Sequence, residues 1–164
     1  MQPDIESLFR QYSADVYRFA LYLSGDPHDA EDITSETFVR VWTAPEQIRV
    51  ATVKGYLFTI ARNLYLQGLR RSGRRTAELD EALPDNKPGP LHQTEARAEL
   101  DAVLADLQRL PEIDRTALLM RARDQVPYED IAQALGISVA SAKVKVHRAR
   151  LLLQKQRNAH ESHA

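Results

Sequence analysis

An all-helical chain of two small domains is what this sequence predicts, the second domain ending in a helix-turn-helix. Three observations carry that expectation. Apolar residues recur at three- and four-residue steps through most of the chain, and no stretch gives a strand signal. A segment crowded with proline and acidic residues, 76–92, separates two such regions and reads as an extended linker without a core. Residues 126–153 then run helix, glycine turn, helix.

In chain order, Ile5, Leu8, Phe9, Tyr12, Val16, Phe19, Ala20 and Leu23 form one side of a helix over 5–24, which Gly25-Asp26-Pro27 breaks. A second helix spans about 28–43. Asp29, Glu31 and Asp32 sit in its first turn, where they complement the helix dipole, and Ile33, Phe38, Val41 and Trp42 supply its apolar side. Asp32, Ser35, Glu36 and Arg40 fall largely off that side. Helical spacing spreads the carboxylates around the axis without the glycine and ligand order of a calcium loop, so they read as a solvated or partner-binding face rather than a metal or acid–base site.

After a loop over 44–52, a helix over 53–71 buries Val53, Leu57, Ile60, Ala61 and Leu64. It interleaves Tyr56, Phe58 and Tyr65 with Lys54, Arg62, Arg70 and Arg71, and Arg74 and Arg75 follow. Cations along a phosphate track with planar rings for unstacked bases suit single-stranded nucleic acid. Equally, the rings belong to a core and the arginines to a dipole-favoured helix end. Beyond the linker, helices over 93–109 and 112–123 flank Leu110-Pro111. The first carries Leu100, Val103, Leu104 and Leu107, the second Ile113, Ala117, Leu118 and Met120. The domain boundaries are therefore 1–75 and 93–157, with 158–164 a frayed tail.

In the helix-turn-helix, Ile131, Ala134 and Leu135 pattern the first helix, Gly136 ends it and Ser138 is placed to cap the second. Projection of the second puts Val139, Ala142, Val146, Ala149 and Leu153 in a buried seam. Ala140, Val144, His147, Arg148 and Leu151 lie opposite, flanked by Ser141, Lys143, Lys145 and Arg150. Such a face suits a major groove, although a basic amphipathic helix can also serve solubility alone.

Composition narrows the classes. The chain holds 164 residues without cysteine, which excludes disulfides, thiolate zinc sites and thiol chemistry. No apolar run is long enough for a membrane span and no basic-then-apolar leader opens the chain, so a cytoplasmic location is expected. Net charge is -1, unevenly placed: +1 over 1–75, -7 over 76–114 and +5 over 115–164. A basic end beside an acidic middle predicts weak binding to free DNA and a larger partner that holds the chain there.

The order of parts resembles a bacterial sigma factor of the extracytoplasmic-function type, which keeps only the second and fourth conserved regions of the sigma-70 family. The resemblance rests on the runs Asp29 to Trp42, Gly55 to Asn63, Leu110-Pro111, and Tyr128 to Ala132 continuing through His147 to Arg150. It implies that the chain binds core RNA polymerase, brings it to promoter DNA and opens the duplex, without catalytic residues, cofactor, metal, small-molecule substrate or membrane insertion. By that resemblance Asp32, Ser35 and Glu36 dock polymerase. Asn63 and the 44–52 loop capture a flipped base of the -10 element, with Tyr56, Arg62, Arg70 and Arg71 along the strand. The -35 element falls to Lys143, Val144, His147 and Arg148, with Ser141 and Lys145 beside them. Many relatives have Ser or Arg where this chain has Val144, which leaves only a methyl contact there, and Tyr56 replaces a frequent Trp. The acidic linker would run through the polymerase cleft, and an anti-sigma factor is a common further partner. Two alternatives differ in class: a dimeric helix-turn-helix regulator acting without polymerase, and a hydrolase using the N-terminal carboxylates. The -1 charge and missing heptads oppose the first, and the lack of a convergent acid–base pair opposes the second.

Overall fold

The computed structural model of this chain describes residues 4–45, 48–78 and 94–162, and every regular element among them is an α-helix. Helix α1 (Ile5–Ser24) starts at Asp4, whose carboxylate accepts the Glu6 N–H. Helix α2 (Pro27–Thr43) starts at Asp26, which accepts the N–H groups of His28 and Asp29. Pro27 takes the first helical position, where a missing N–H costs no intrahelical bond. Helix α3 (Val53–Glu78) closes a three-helix domain whose core includes Val16, Phe19, Leu23, Ala30, Phe38, Leu57, Phe58 and Ala61. Phe58, fully buried, stacks on Phe19 with ring centroids 4.5 Å apart.

The C-terminal domain comprises α4 (Glu95–Gln108), α5 (Glu112–Ala122), α6 (Tyr128–Leu135) and α7 (Val139–Glu161). Thr94 caps α4 and Ser138 caps α7, the latter accepting the Ser141 N–H at 3.0 Å. Between α6 and α7, Gly136 stands at φ +66°, a left-handed conformation that side chains with a Cβ disfavour; this permits the two-helix turn. Ala142, Val146 and Ala149 form the buried seam of α7, as the periodicity requires.

The structure departs from the sequence expectations at several places. Trp42 is 72% exposed, and Phe9, Val53, Leu100 and Val103 are also exposed, although projection put all five on apolar sides. Periodicity fixes the side of a helix, not how far a neighbouring helix extends to cover it. Phe9 retains one edge contact with Phe38 at 5.1 Å. Helix α3 runs to Glu78, into the segment read as linker, because Thr76-Ala77-Glu78 contains no breaker; residues 79–92 of that segment lie outside the described residues. Helix α7 likewise continues through Glu161, past the expected tail boundary, and His160 comes within 3.2 Å of Asp106 on α4.

The two domains also touch, which a tether alone would not require. The Gln108 side-chain amide at the end of α4 donates to the carbonyls of Tyr22 (3.1 Å) and Leu23 (3.3 Å). It thereby satisfies acceptors that the last turn of α1 leaves without intrahelical donors. Among the described residues no helix is long and apolar enough to cross a membrane.

Phe58→Ala empties a fully enclosed site, and we expect it to lower unfolding stability by about 3–5 kcal/mol in chemical denaturation; a loss of only a few tenths would show that the Phe19–Phe58 stack is peripheral to the core.

Candidate nucleic-acid and polymerase interfaces

Helix α7 turns its seam inward and a mixed cationic and apolar face outward. Lys143, Val144, His147, Arg148 and Arg150 are exposed, Val144 to 61%, while Ser141 and Lys145 are half-buried at the flanks. Three of these cations are held by neighbours. Lys143 lies over the Tyr128 ring at 5.6 Å, beside Arg121 at 4.3 Å. Arg148 makes a two-point contact with Asp114, Nε to Oδ2 at 2.7 Å and Nη2 to Oδ1 at 2.9 Å. Asp114 is 1% exposed, and Lys145 approaches it at 3.8 Å. Arg148 thus clamps α7 to the first turn of α5, and Asp114 in turn raises the affinity of the guanidinium for its proton. Presentation to solvent and a structural clamp coexist in one side chain.

Helix α3 divides its aromatic and basic residues differently. Phe58 and Tyr65 are buried, so at these two positions the core reading holds; Tyr56 and Asn63 are half-buried, and Arg70 and Arg71 are exposed. Arg62 is only 9% exposed. Its Nε and Nη2 donate to Glu112 of α5 at 2.7 and 3.0 Å, and its Nη1 reaches the Ala134 carbonyl of α6 at 3.4 Å. Burial alone pushes the Glu112 carboxyl up. The Arg62 hydrogen bonds and charge, joined by the Thr116 hydroxyl and Arg115, outweigh burial and leave it below its ordinary value.

A second carboxylate sits at the start of α3. Asp130 of α6, 3% exposed, accepts the backbone N–H groups of Ala51 (2.9 Å) and Thr52 (3.0 Å) and the Thr52 hydroxyl (2.6 Å). A Cβ at residue 55 would stand 2.7 Å from the Asp130 carboxylate, so Gly55 is what lets α6 approach this closely. Further along, Arg115 donates to the Tyr65 phenol oxygen at 3.0 Å, and Lys54 bridges Asp15 and Asp124 at 3.6 and 3.3 Å.

In the N-terminal domain, α2 and α3 bound an open cleft of about 590 Å³. Asp29, Asp32, Ser35, Glu36 and Val39 line one wall, and Leu64, Gln67, Leu69 and Arg71 line the other. The three residues singled out for polymerase, Asp32, Ser35 and Glu36, are therefore brought to one place and are all exposed. Burial, followed by the charges of Asp26 and Asp32, raises the Asp29 carboxyl, with His28 opposing. Among the described residues no three acidic or histidine side chains converge as a metal site.

Sequence reasoning missed Glu112, Asp114, Asp130 and Thr52. Each looked like an ordinary polar residue of a helix start or loop, and their partners lie 50, 34 and 78 positions away. Buried ion pairs at such separation leave no local pattern.

Residues 8–75 match the sigma-70 region 2 family and residues 100–153 match sigma-70 region 4. The chain is 35% identical over 98% of its length to the extracytoplasmic-function RNA polymerase sigma factor SigE of Mycolicibacterium smegmatis, of whose length it spans 64%. It is 29% identical to the sigma factor SigM of Bacillus subtilis, covering 92% of this chain and 93% of that one. The fold is shared with the sigma factor RpoE of Bartonella quintana, solved in complex with the anti-sigma factor NepR, at a TM-score of 0.72 and 24% identity, over 92% of this chain and 94% of that one.

Two expectations follow from the ion pairs. Arg148→Ala leaves the Asp114 carboxylate enclosed with only the more distant Lys145, so its melting temperature falls below that of His147→Ala, and adding Asp114→Ala recovers part of the loss; equal melting of the two single variants would contradict the clamp. Glu112 binds its proton less readily folded than unfolded. Its contribution is therefore complete above the ordinary glutamate value and lost as pH falls through the depressed one. Wild-type stability should accordingly drop more steeply than that of Glu112→Gln on acidification, compared by urea melts at matched pH; superimposable profiles would refute the pairing.

Proposed function

Because this chain belongs to the extracytoplasmic-function group of the sigma-70 family, whose members are transcription initiation factors rather than enzymes, we propose that it binds core RNA polymerase and directs it to specific promoters. The observation that carries the finer reading is the outward face of α7, where Lys143, Val144, His147 and Arg148 are presented together above a buried seam. In the major groove of the -35 element the cations meet phosphates or guanine edges, Val144 contributes at most a thymine-methyl contact, and Ser141 and Lys145 lie beside the backbone.

The cleft between α2 and α3 supplies the polymerase-docking surface through Asp32, Ser35 and Glu36. In the N-terminal domain, Asn63 and Tyr56 receive an unpaired -10 base, and Arg62, Arg70 and Arg71 track the displaced strand. Extraction of a base costs a few kcal/mol, which stacking and edge hydrogen bonds offset. An anti-sigma factor is a further partner in this reading, supported by the likeness to a sigma factor solved with one. The site of action is the cytoplasm, where polymerase works.

Co-purification with core polymerase, followed by transcription from selected promoters, tests the assignment directly. Asn63→Ala should retain polymerase binding and lose permanganate reactivity of the melted region; reactivity at the wild-type level would remove Asn63 from base capture.

A further inference from the structure

Arg148 stands on the outward face of α7 and is also gripped from behind. Its Nε donates to Asp114 Oδ2 at 2.7 Å and its Nη2 to Asp114 Oδ1 at 2.9 Å, so one edge of the guanidinium is fully used. The other edge is free. No described residue accepts a hydrogen bond from Nη1, and the side chain keeps 53% of its surface in solvent. Asp114 is the fixed half of the pair. It lies in the first turn of α5, 1% exposed, and Lys145 of α7 also approaches it at 3.8 Å. Val146 and Ala149, which bracket Arg148 in the chain, are buried in the seam, so the backbone that carries the arginine is fixed as well.

A guanidinium has donors on two edges, and guanine offers O6 and N7 in the major groove to a pair of parallel N–H groups. With the Nε edge on a carboxylate, the Nη1–Nη2 edge is the one left to meet a base. A loose arginine surrenders its rotamer freedom on binding, whereas one already held has less to lose. We propose that Asp114 is a specificity-determining positioning residue: by holding the Nε edge of Arg148 it aims the Nη1–Nη2 edge at one guanine of the -35 element, so that carboxylate, guanidinium and base form a single hydrogen-bonded chain. The proposal rests on the assignment of the α7 face to the -35 duplex. Asp114 touches no DNA and acts only through Arg148. Its two effects oppose each other. A fixed fork sharpens the choice between guanine and other bases, while the adjacent anion cancels much of the attraction of Arg148 to any phosphate. Loss of Asp114 therefore makes the helix less selective without weakening it on non-cognate promoters. A carboxylate with a purely structural role would, when lost, weaken both alike.

The test uses holoenzyme reconstituted from the full chain and core polymerase, on a promoter that the wild type transcribes, with each -35 base pair replaced in turn. Arg148→Ala marks the base pair that Arg148 reads by erasing the preference for guanine there. Asp114→Asn and Asp114→Ala remove the enclosed charge and leave behind only cations that reach solvent, so neither strands a buried ion. Both should reduce the guanine preference about tenfold at that base pair alone, with transcription from the substituted promoters unchanged or raised. Retained preference, an equal fall on every promoter, or loss of preference at a different base pair overturns the positioning role. A second measurement needs no variant to fold: 7-deazaguanine, which lacks the N7 acceptor, replaces each -35 guanine in turn. Wild-type transcription should fall several-fold at one of them, and insensitivity at all of them overturns the fork. Failure of the -35 assignment itself looks different. Wild-type holoenzyme would then transcribe every substituted promoter equally, or Arg148→Ala would alter no preference, and the positioning role would fall with it.

Discussion

Among the described residues, three buried or half-buried carboxylates take their donors from another element and define how the helices meet. Asp114 joins α5 to α7 through Arg148; Glu112 joins α5 to α3 through Arg62; Asp130 joins α6 to the start of α3 through two amides and a hydroxyl. Removing an ion from water costs several kcal/mol, and that cost is recovered only with good geometry and full hydrogen bonding. These pairs therefore specify the arrangement more than they add to net stability. A displaced domain would strip Asp130 of the donors that residues 51 and 52 supply and leave Glu112 the Thr116 hydroxyl of its own helix, unless water reaches them.

The apolar core follows a simpler rule. Phe19 against Phe58 in the first domain, and the small seam of Ala142, Val146 and Ala149 in the second, hold each helix set by area removed from water. Small residues in the α7 seam let that helix lie close to its neighbours while its outer face keeps long cations in solvent. Division of labour between a dry seam and a wet face lets α7 hold its neighbours while presenting cations to solvent. Arg148 shows that the division is not absolute, since one side chain reaches back from the wet face to neutralise Asp114.

The same economy governs the N-terminal domain. The cleft between α2 and α3 is lined by the exposed carboxylates Asp29, Asp32 and Glu36, with Arg40 and Arg71 beside them. The side that meets the C-terminal domain is the reverse: there the Arg62 guanidinium and the Ala51 and Thr52 amides are paired with carboxylates of that domain.

Helix positions, the capping residue Ser138, the Gly136 turn and the inward seam of α7 were legible in the sequence because each depends on residues within about one or two helical turns. The sigma-70 family was legible too, since ordered motifs survive in linear form. Exposure of Trp42, the extension of α3 to Glu78 and of α7 to Glu161, and the burial of Arg62 were not, because coverage of a helix depends on where its neighbours end. The domain contact itself was decided only by tertiary structure: Asp130 meets Thr52 from 78 positions away, and nothing local to either residue records that meeting. Local periodicity sets what each helix is; only the three-dimensional need to solvate or pair every buried charge decides which helices hold one another.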